Sequence, residues 1–355
     1  MRSPVRPRLC FVGPLAGVRA GYVVTQGVRL SGHFRAAGWP VLAVSTFRNR
    51  YVRLVDVVWT LWRRRRDIDV LIVHVYSGFS FVIEDIASRL GRAAGLPIVM
   101  VMHGGAFPEF ATRHPVWTRR VLGRAAVIVA PSPFLARSVR SIGFPCRVIP
   151  NVIDLGQYPY RERGLLRPAL LWMRSFHAVY NPAMAIHVIE RLRATHPEAR
   201  LVMGGQDKGL QAATEDLARR RGLSAAVEFP GFLDMEAKVR ASEATDIFIN
   251  TSHVDNMPVA VVEACAFGQP VVSTRVGGVP DLIEDGRTGL LCPPDDADAM
   301  VACVRRLLED EPLARRLSVE GLRLAARSAW ESVAPQWEEI FLALAARPLP
   351  GRDGS

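Results

Sequence analysis

Short apolar runs alternate with longer amphipathic stretches along almost the whole chain. In the first half the runs are Arg8–Gly13, Pro40–Phe47, Asp69–Val75, Pro97–Met102, Ala126–Ala130 and Cys146–Pro150. In the second half they are Ala169–Met173, Arg200–Met203, Ala226–Pro230, Asp246–Asn250, Pro270–Ser273 and Leu290–Pro293. Runs of this length read as strands, and helix-length spacers between them predict βαβ units and parallel sheets. Six strands followed by six more predict an α/β chain of two doubly wound, Rossmann-like domains. Charged, Pro and Gly residues interrupt the pattern between Asn151 and Pro168. The expected domains are therefore 1–160 and 161–328, followed by a helix over 329–346 and a disordered tail over 347–355.

Ligands of open parallel sheets bind beyond the carboxyl ends of the strands. The exits that carry polar or Gly-rich chemistry are His103-Gly104-Gly105, Arg174, Gly204-Gly205 and Asp255. They are expected to converge on a cleft between facing domains. The densest stretch is Asp255–Gly289 (DNMPVAVVEACAFGQPVVSTRVGGVPDLIEDGRTG). Pro258 suits a first helical position, Glu263 follows within an apolar helix, and Gly268 supplies the stop. The Gly277-Gly278 pair then leads into a second Pro-started helix. Helix N-termini attract phosphate, and carboxylates accept hydrogen bonds from hydroxyls. A ligand carrying both, such as a nucleotide sugar, fits the combination.

Bulk properties narrow the choice. The chain has 355 residues and a formal charge of +11. Residues 1–165 carry 24 basic and 8 acidic side chains, residues 166–355 carry 21 and 26, and Lys208 and Lys238 are the only lysines. The basic half favours an anionic surface or substrate. It lacks the Arg–aromatic interleaving or recognition-helix pattern of a nucleic-acid binder, so no nucleic-acid partner is expected. Five cysteines without metal spacing suit a reduced, cytoplasmic setting, and no metal site is expected. No apolar run reaches membrane-spanning length. The helix Tyr51–Trp62 places Tyr51, Leu54, Val55, Val58, Leu61 and Trp62 on one face, ahead of Arg63–Arg66. It reads as a buried crossover helix with cations near its C-terminus. Peripheral contact of the basic domain with an anionic inner membrane face is a separate expectation.

From Asp246 to Pro294, and at Met102–Phe110 (MHGGAFPEF) and Leu171–Pro182 (LWMRSFHAVYNP), the chain resembles glycosyltransferase family 4. That resemblance implies the GT-B fold and a retaining, metal-independent transferase. The enzyme would carry a sugar from a UDP- or GDP-sugar to a glycan or lipid-linked acceptor in surface polysaccharide biosynthesis. It implies no cofactor. The family's Glu-x7-Glu pair appears as Asp255-x7-Glu263. By resemblance Glu263 holds the ribose hydroxyls, and Asp255 sits near the transferred sugar beside N–H groups of Asn256, Met257 and Val259, next to Pro258. Arg174 matches the diphosphate-binding Arg, whereas Tyr180 stands where a Lys is expected and Lys208 is offered as a substitute. Gly231-Phe232 would line the base. Gly21 would be the close-approach glycine of the first loop, and Gly277-Gly278 an anion-facing loop. His103, with Gly104 and Gly105, is expected on the donor-sugar or acceptor side, and His74, Tyr76 and Ser77 suit an acceptor contact or a plain loop equally. Tyr180 and Asp255 also leave open a second reading, a binding protein that keeps the fold without turnover.

Overall fold

The computed structural model describes residues 6–15, 22, 24–44, 47, 49–78 and 80–346. Gly21 and the tail 347–355 lie outside the described residues.

Each predicted apolar run overlaps a strand. In the first half these are β1 Leu9–Val12, β2 Val41–Val44, β3 Val70–Val75, β4 Ile98–Met102, β5 Val127–Ala130 and β6 Arg147–Val148. In the second half they are β7 Ala169–Met173, β8 Arg200–Gly204, β9 Val227–Gly231, β10 Ile247–Asn250, β11 Val271–Thr274 and β12 Leu290–Cys292. The cause is visible in the burial: β1, β3, β4, β10, β11 and β12 are buried at every residue. A strand covered on both faces has no polar side, so it reads as a continuous apolar run.

The first sheet has the order β2-β1-β3-β4-β5-β6, the second β12-β11-β10-β7-β8-β9, and all pairings are parallel. In each sheet the chain reverses its direction of winding once, between β1 and β3 in the first and between β7 and β10 in the second. At such a switch point the crossover connections leave on opposite faces, and the diverging loops open a crevice at the carboxyl edge.

Two compact units result. The first contains Val24–Val152 and the chain from Trp330 onward; the second contains Ile153–Ala329. The helix Trp330–Ala345 completes one face of the first unit's core, where Val333, Trp337, Ile340, Phe341 and Leu344 pack with Phe11, Phe34, Ile72 and Val99. In the second unit, Arg163 anchors the entering segment. Its guanidinium donates to the carbonyls of Phe267, Ser242 and Thr245, at the ends of two helices. Burial pulls its pKa down to about 10.

The expected burial of the helix over Tyr51–Trp62 is corrected. In the helix Arg50–Arg64, Val57 and Leu61 are buried and Leu54 packs beside them, but Tyr51, Val55, Val58 and Trp62 are exposed. Apolar periodicity placed two adjacent arcs on one face, and only one of them meets the core.

Candidate functional site

The second unit's switch point holds Arg174, one residue beyond β7, and Asp255, in the loop after β10. Their side chains form an ion pair and are 9% and 11% exposed. The Arg174 Cζ also lies 4.1 Å from the centroid of the Tyr180 ring. The aromatic residue at the expected Lys position therefore stacks on the cation beside it. Arg174 Nε is buried and has no hydrogen-bond partner among the described residues. A guanidinium held on one side by a carboxylate and on another by a ring keeps further N–H groups that can donate to an incoming anion. Burial pushes the Asp255 carboxyl above its ordinary pKa, against the opposing pull of Arg174 and of hydrogen bonds from Asn256 and Ser252.

The Asp255 loop is fastened to the Gly-Gly loop. The Gly278 N–H donates to the Asp255 carbonyl at 2.9 Å. Gly277 has φ +52°, and a Cβ there would collide with the same carbonyl. This close approach is backbone to backbone, so Gly277 is accounted for without an anion facing it. The expected second helix is a single turn, Val279–Leu282, too short to sum much of a dipole. Pro258 precedes the helix Val259–Ala266 as its N-cap, with extended ψ of 105°, and is not its first residue. The Asn256 N–H, expected beside the sugar, donates to Asp255 Oδ1 at 2.9 Å.

Glu263 lies inside that helix and is 3% exposed. A buried carboxylate needs partners. Tyr158 Oη–H donates to Oε1 at 2.9 Å and Lys238 Nζ donates to Oε2 at 2.7 Å. Neither partner was recognised from sequence, although a signal existed. Lys238 is one of two lysines among 45 basic residues, and a position that keeps Lys where Arg is otherwise used is worth inspection.

Gly205 and Gly231 are joined by a 2.8 Å hydrogen bond from the Gly205 N–H to the Gly231 carbonyl. Phe232 is half-buried just beyond them, whereas Lys208 is exposed on the neighbouring loop. Met257 and Pro258 are buried and Val259 is half-buried. His177 accepts from the Val179 N–H at 3.2 Å as a local cap.

In the first unit, His103 follows β4 and meets His74 at the end of β3. His74 Nδ1 and His103 Nε2 are 2.8 Å apart, one donating to the other. Tyr76 stacks on His103 with ring centroids 4.7 Å apart. The histidines are 1% and 7% exposed. Burial lowers the pKa of His103 to about 4 and that of His74 well below its ordinary value, so both rings are neutral near pH 7. Gln26, Leu30, Asn151 and Trp337 help to enclose a cavity of about 20 Å³ at the pair. His74 Nε2 is buried without a partner among the described residues. Gly104, with φ +79°, turns the chain in open space and Gly105 is half-buried. Ser77 is half-buried in the loop after β3. The Tyr76 N–H donates to the buried Glu84 at 2.9 Å.

Among the described residues no group of three or more His, Cys, Asp or Glu side chains is placed to hold a metal ion, and no helix is long and apolar enough to cross a membrane.

Comparison with known proteins gives these arrangements a family. The model of glycosyl transferases group 1 matches residues 166–323, and that of glycosyltransferase family 4 matches residues 22–157. A glycogen synthase of Mycobacterium tuberculosis is 31% identical over 199 residues, which is 55% of this chain and 48% of that protein. The chain spans about half the length, or less, of the first curated relatives it matches. Among solved structures, sucrose-phosphate synthase from Thermosynechococcus elongatus is similar with a TM-score of 0.79 at 17% identity, covering 96% of this chain and all of that one. Anabaena HepE in complex with UDP is similar with a TM-score of 0.74 at 16% identity, covering 95% and 100%. Two parallel six-stranded sheets, the likeness to these structures and a family match on each side of residue 160 make one conclusion: the chain belongs to the group 1 glycosyltransferases of family 4 and has their two-domain α/β GT-B fold.

Proposed function

We propose that this protein transfers a sugar, with retention, from a UDP- or GDP-sugar to a glycan or lipid-linked acceptor. We further place it in surface polysaccharide biosynthesis, on the cytoplasmic side of the membrane. The observation that carries the transfer reading is Arg174. It stands at the switch point, ion-paired to Asp255 and stacked on Tyr180, with its buried Nε unpartnered among the described residues. Donation to the leaving diphosphate as the glycosidic bond breaks is what such a group does well, because a positioned donor in a dry site needs no reorganisation. In this reading Arg174 takes the charge without a metal, and turnover survives EDTA. Lys208 is the proposed second phosphate cation.

Glu263 is proposed to hold the ribose. Its oxygens accept from Tyr158 and Lys238, and a carboxylate oxygen can accept more than one hydrogen bond. Asp255 would then accept from the hydroxyls of the transferred sugar, and the neutral His103 from a sugar or acceptor hydroxyl. Support comes from the family match and from HepE, which was crystallised with UDP.

The test is thermal shift with UDP, GDP and ADP and their sugar conjugates. A ligand at about 100 times its Kd adds about 2.7 kcal/mol. One nucleotide series should stabilise the protein, and Glu263→Gln should weaken that nucleotide about tenfold while the fold is kept. Acceptor-dependent release of nucleoside diphosphate should follow. Stabilisation without release under any acceptor would leave a binding protein, and equal affinity in Glu263→Gln would remove the ribose role.

A further inference from the structure

The helix Arg50–Arg64 has a large apolar face that is exposed. Tyr51 and Val55 are each 67% exposed, and Trp59 and Trp62 each 57%, with Val52 and Val58 between them. At 100° per residue, Val58, Tyr51, Trp62, Val55, Trp59 and Val52 fill a continuous arc of about 120°. The buried arc of Leu54, Val57 and Leu61 lies beside it. Trp59 and Trp62 lie with ring centroids 5.8 Å apart, and Val82 of the helix Ser80–Ala93, which packs alongside, is exposed as well. Six large apolar side chains side by side on a surface mark an interaction site.

The charges select the occupant. Arg63, Arg64, Arg65 and Arg66 are all exposed where the apolar arc ends. Arg64 is paired with Asp67 at 2.9 Å, and Arg65 lies over the Trp62 ring at 5.9 Å from its centroid. The half of the chain that presents this helix carries 24 basic and 8 acidic residues. Two such surfaces repel, which disfavours a second copy as the partner. An anionic bilayer attracts them. Amphipathic aromatic rings seat at the headgroup level, and flanking Arg side chains reach the lipid phosphates.

We infer that the exposed face of helix Arg50–Arg64 docks the protein on an anionic lipid surface, with Tyr51, Trp59 and Trp62 in the headgroup region and Arg63–Arg66 on the phosphates. The inference does not depend on the transfer chemistry, because vesicle binding is measured without any sugar or nucleotide.

The experiment is co-sedimentation of the full chain with phosphatidylcholine vesicles, with and without phosphatidylglycerol, at low and physiological salt. Binding should require phosphatidylglycerol and weaken with salt. Trp59→Ser/Trp62→Ser should abolish it, and Arg63→Gln/Arg65→Gln should weaken it about fivefold for each cation removed. Far-UV circular dichroism and the melting temperature should match the parent in both variants, since all four positions are exposed. The Arg pair remains a test on its own should the Trp pair misfold. Absence of binding to anionic vesicles at low salt would overturn the inference, as would undiminished binding by a folded Trp variant. So would a dimer in sedimentation velocity that Trp59→Ser/Trp62→Ser separates, which would give the face to a second copy.

Discussion

The two units keep the buried polar groups of their candidate sites in opposite states of charge. In the first, His74 and His103 share one hydrogen bond and are held neutral by burial. In the second, Arg174 faces Asp255 and Lys238 faces Glu263 as ion pairs of low exposure. Desolvation acts on both. It neutralises an imidazole, whose pKa lies near 6.5, but it cannot neutralise an arginine, so the second unit must bring a counter-charge with each cation. Neutral rings suit sugar hydroxyls, and opposed charges suit a diphosphate joined to a ribose.

The largest effect expected from breaking this pattern lies outside both clusters. Ending the chain after Ala329 strips Val333, Trp337, Ile340, Phe341 and Leu344 from the core behind the histidines. At about 1.5–3 kcal/mol for each buried large side chain, the loss is on the order of 10 kcal/mol, comparable to a domain's whole stability. Calorimetry should show the first unit's transition lost. A truncated chain that melts like the full one would mean that the helix contributes nothing to that core.

Next in size is Arg174→Ala. Turnover should fall by about 10²–10³, the loss typical of an oriented donor to developing charge. Leaving Asp255 buried and unpaired should also cost about 3–5 kcal/mol of stability. Arg174→Lys separates the two. It should recover most of the stability, since a cation still faces Asp255, but little turnover, since an ammonium does not reproduce the guanidinium fork. Full turnover in the Lys variant would show that only charge matters at this position.

The neutral pair makes a pH prediction whose sign follows from its lowered pKa. In the unfolded chain a histidine binds a proton below about pH 6.5, whereas folded His103 resists it until about pH 4. The unfolded state therefore binds more protons in that window, so this contribution is complete above pH 6.5 and lost as the pH falls toward 4. For His103 it amounts to about 3 kcal/mol. Asp255 works the other way, because its raised pKa means that the folded state takes up a proton first as the pH falls. Urea midpoints at pH 7 and pH 4.5 measure the balance, and His103→Gln should flatten the loss. An unchanged pH slope in that variant would place the acid sensitivity elsewhere.

What the sequence made legible, and what it did not, divides by range. Strands such as Ile98–Met102 were readable because burial on both faces removes every polar position. Arg174 and Asp255 could each be singled out as strand exits, but their pairing spans 81 positions and leaves no trace in periodicity. Lys238 and Tyr158 were missed for the same reason, since what selects them is the buried Glu263 carboxylate. The helix over Tyr51–Trp62 was misread because a wide apolar stripe does not say which part of it is covered. The need for glycine at 277 comes from its close approach to the Asp255 carbonyl, a contact across the chain that periodicity does not reveal.

The smallest expected effect tests the residue that departs from the family pattern. Tyr180→Leu keeps an apolar side chain against the core it borders, yet removes the ring 4.1 Å from the Arg174 Cζ. A cation–π contact out of water is worth about 1–2 kcal/mol, so nucleotide affinity should fall about five- to thirtyfold if the ring holds Arg174 in its binding position. Stability should change by less than in Arg174→Ala, because the ion pair to Asp255 survives. Tyr180→Lys asks the complementary question. A lysine there adds a second cation beside Arg174, and two like charges in one dry pocket repel unless an anion lies between them. That variant should be less stable than Tyr180→Leu without nucleotide and should gain more from nucleoside diphosphate in a thermal shift. Equal shifts in the two variants would show that position 180 faces away from the phosphates and that the stacked ring serves only to pack the arginine.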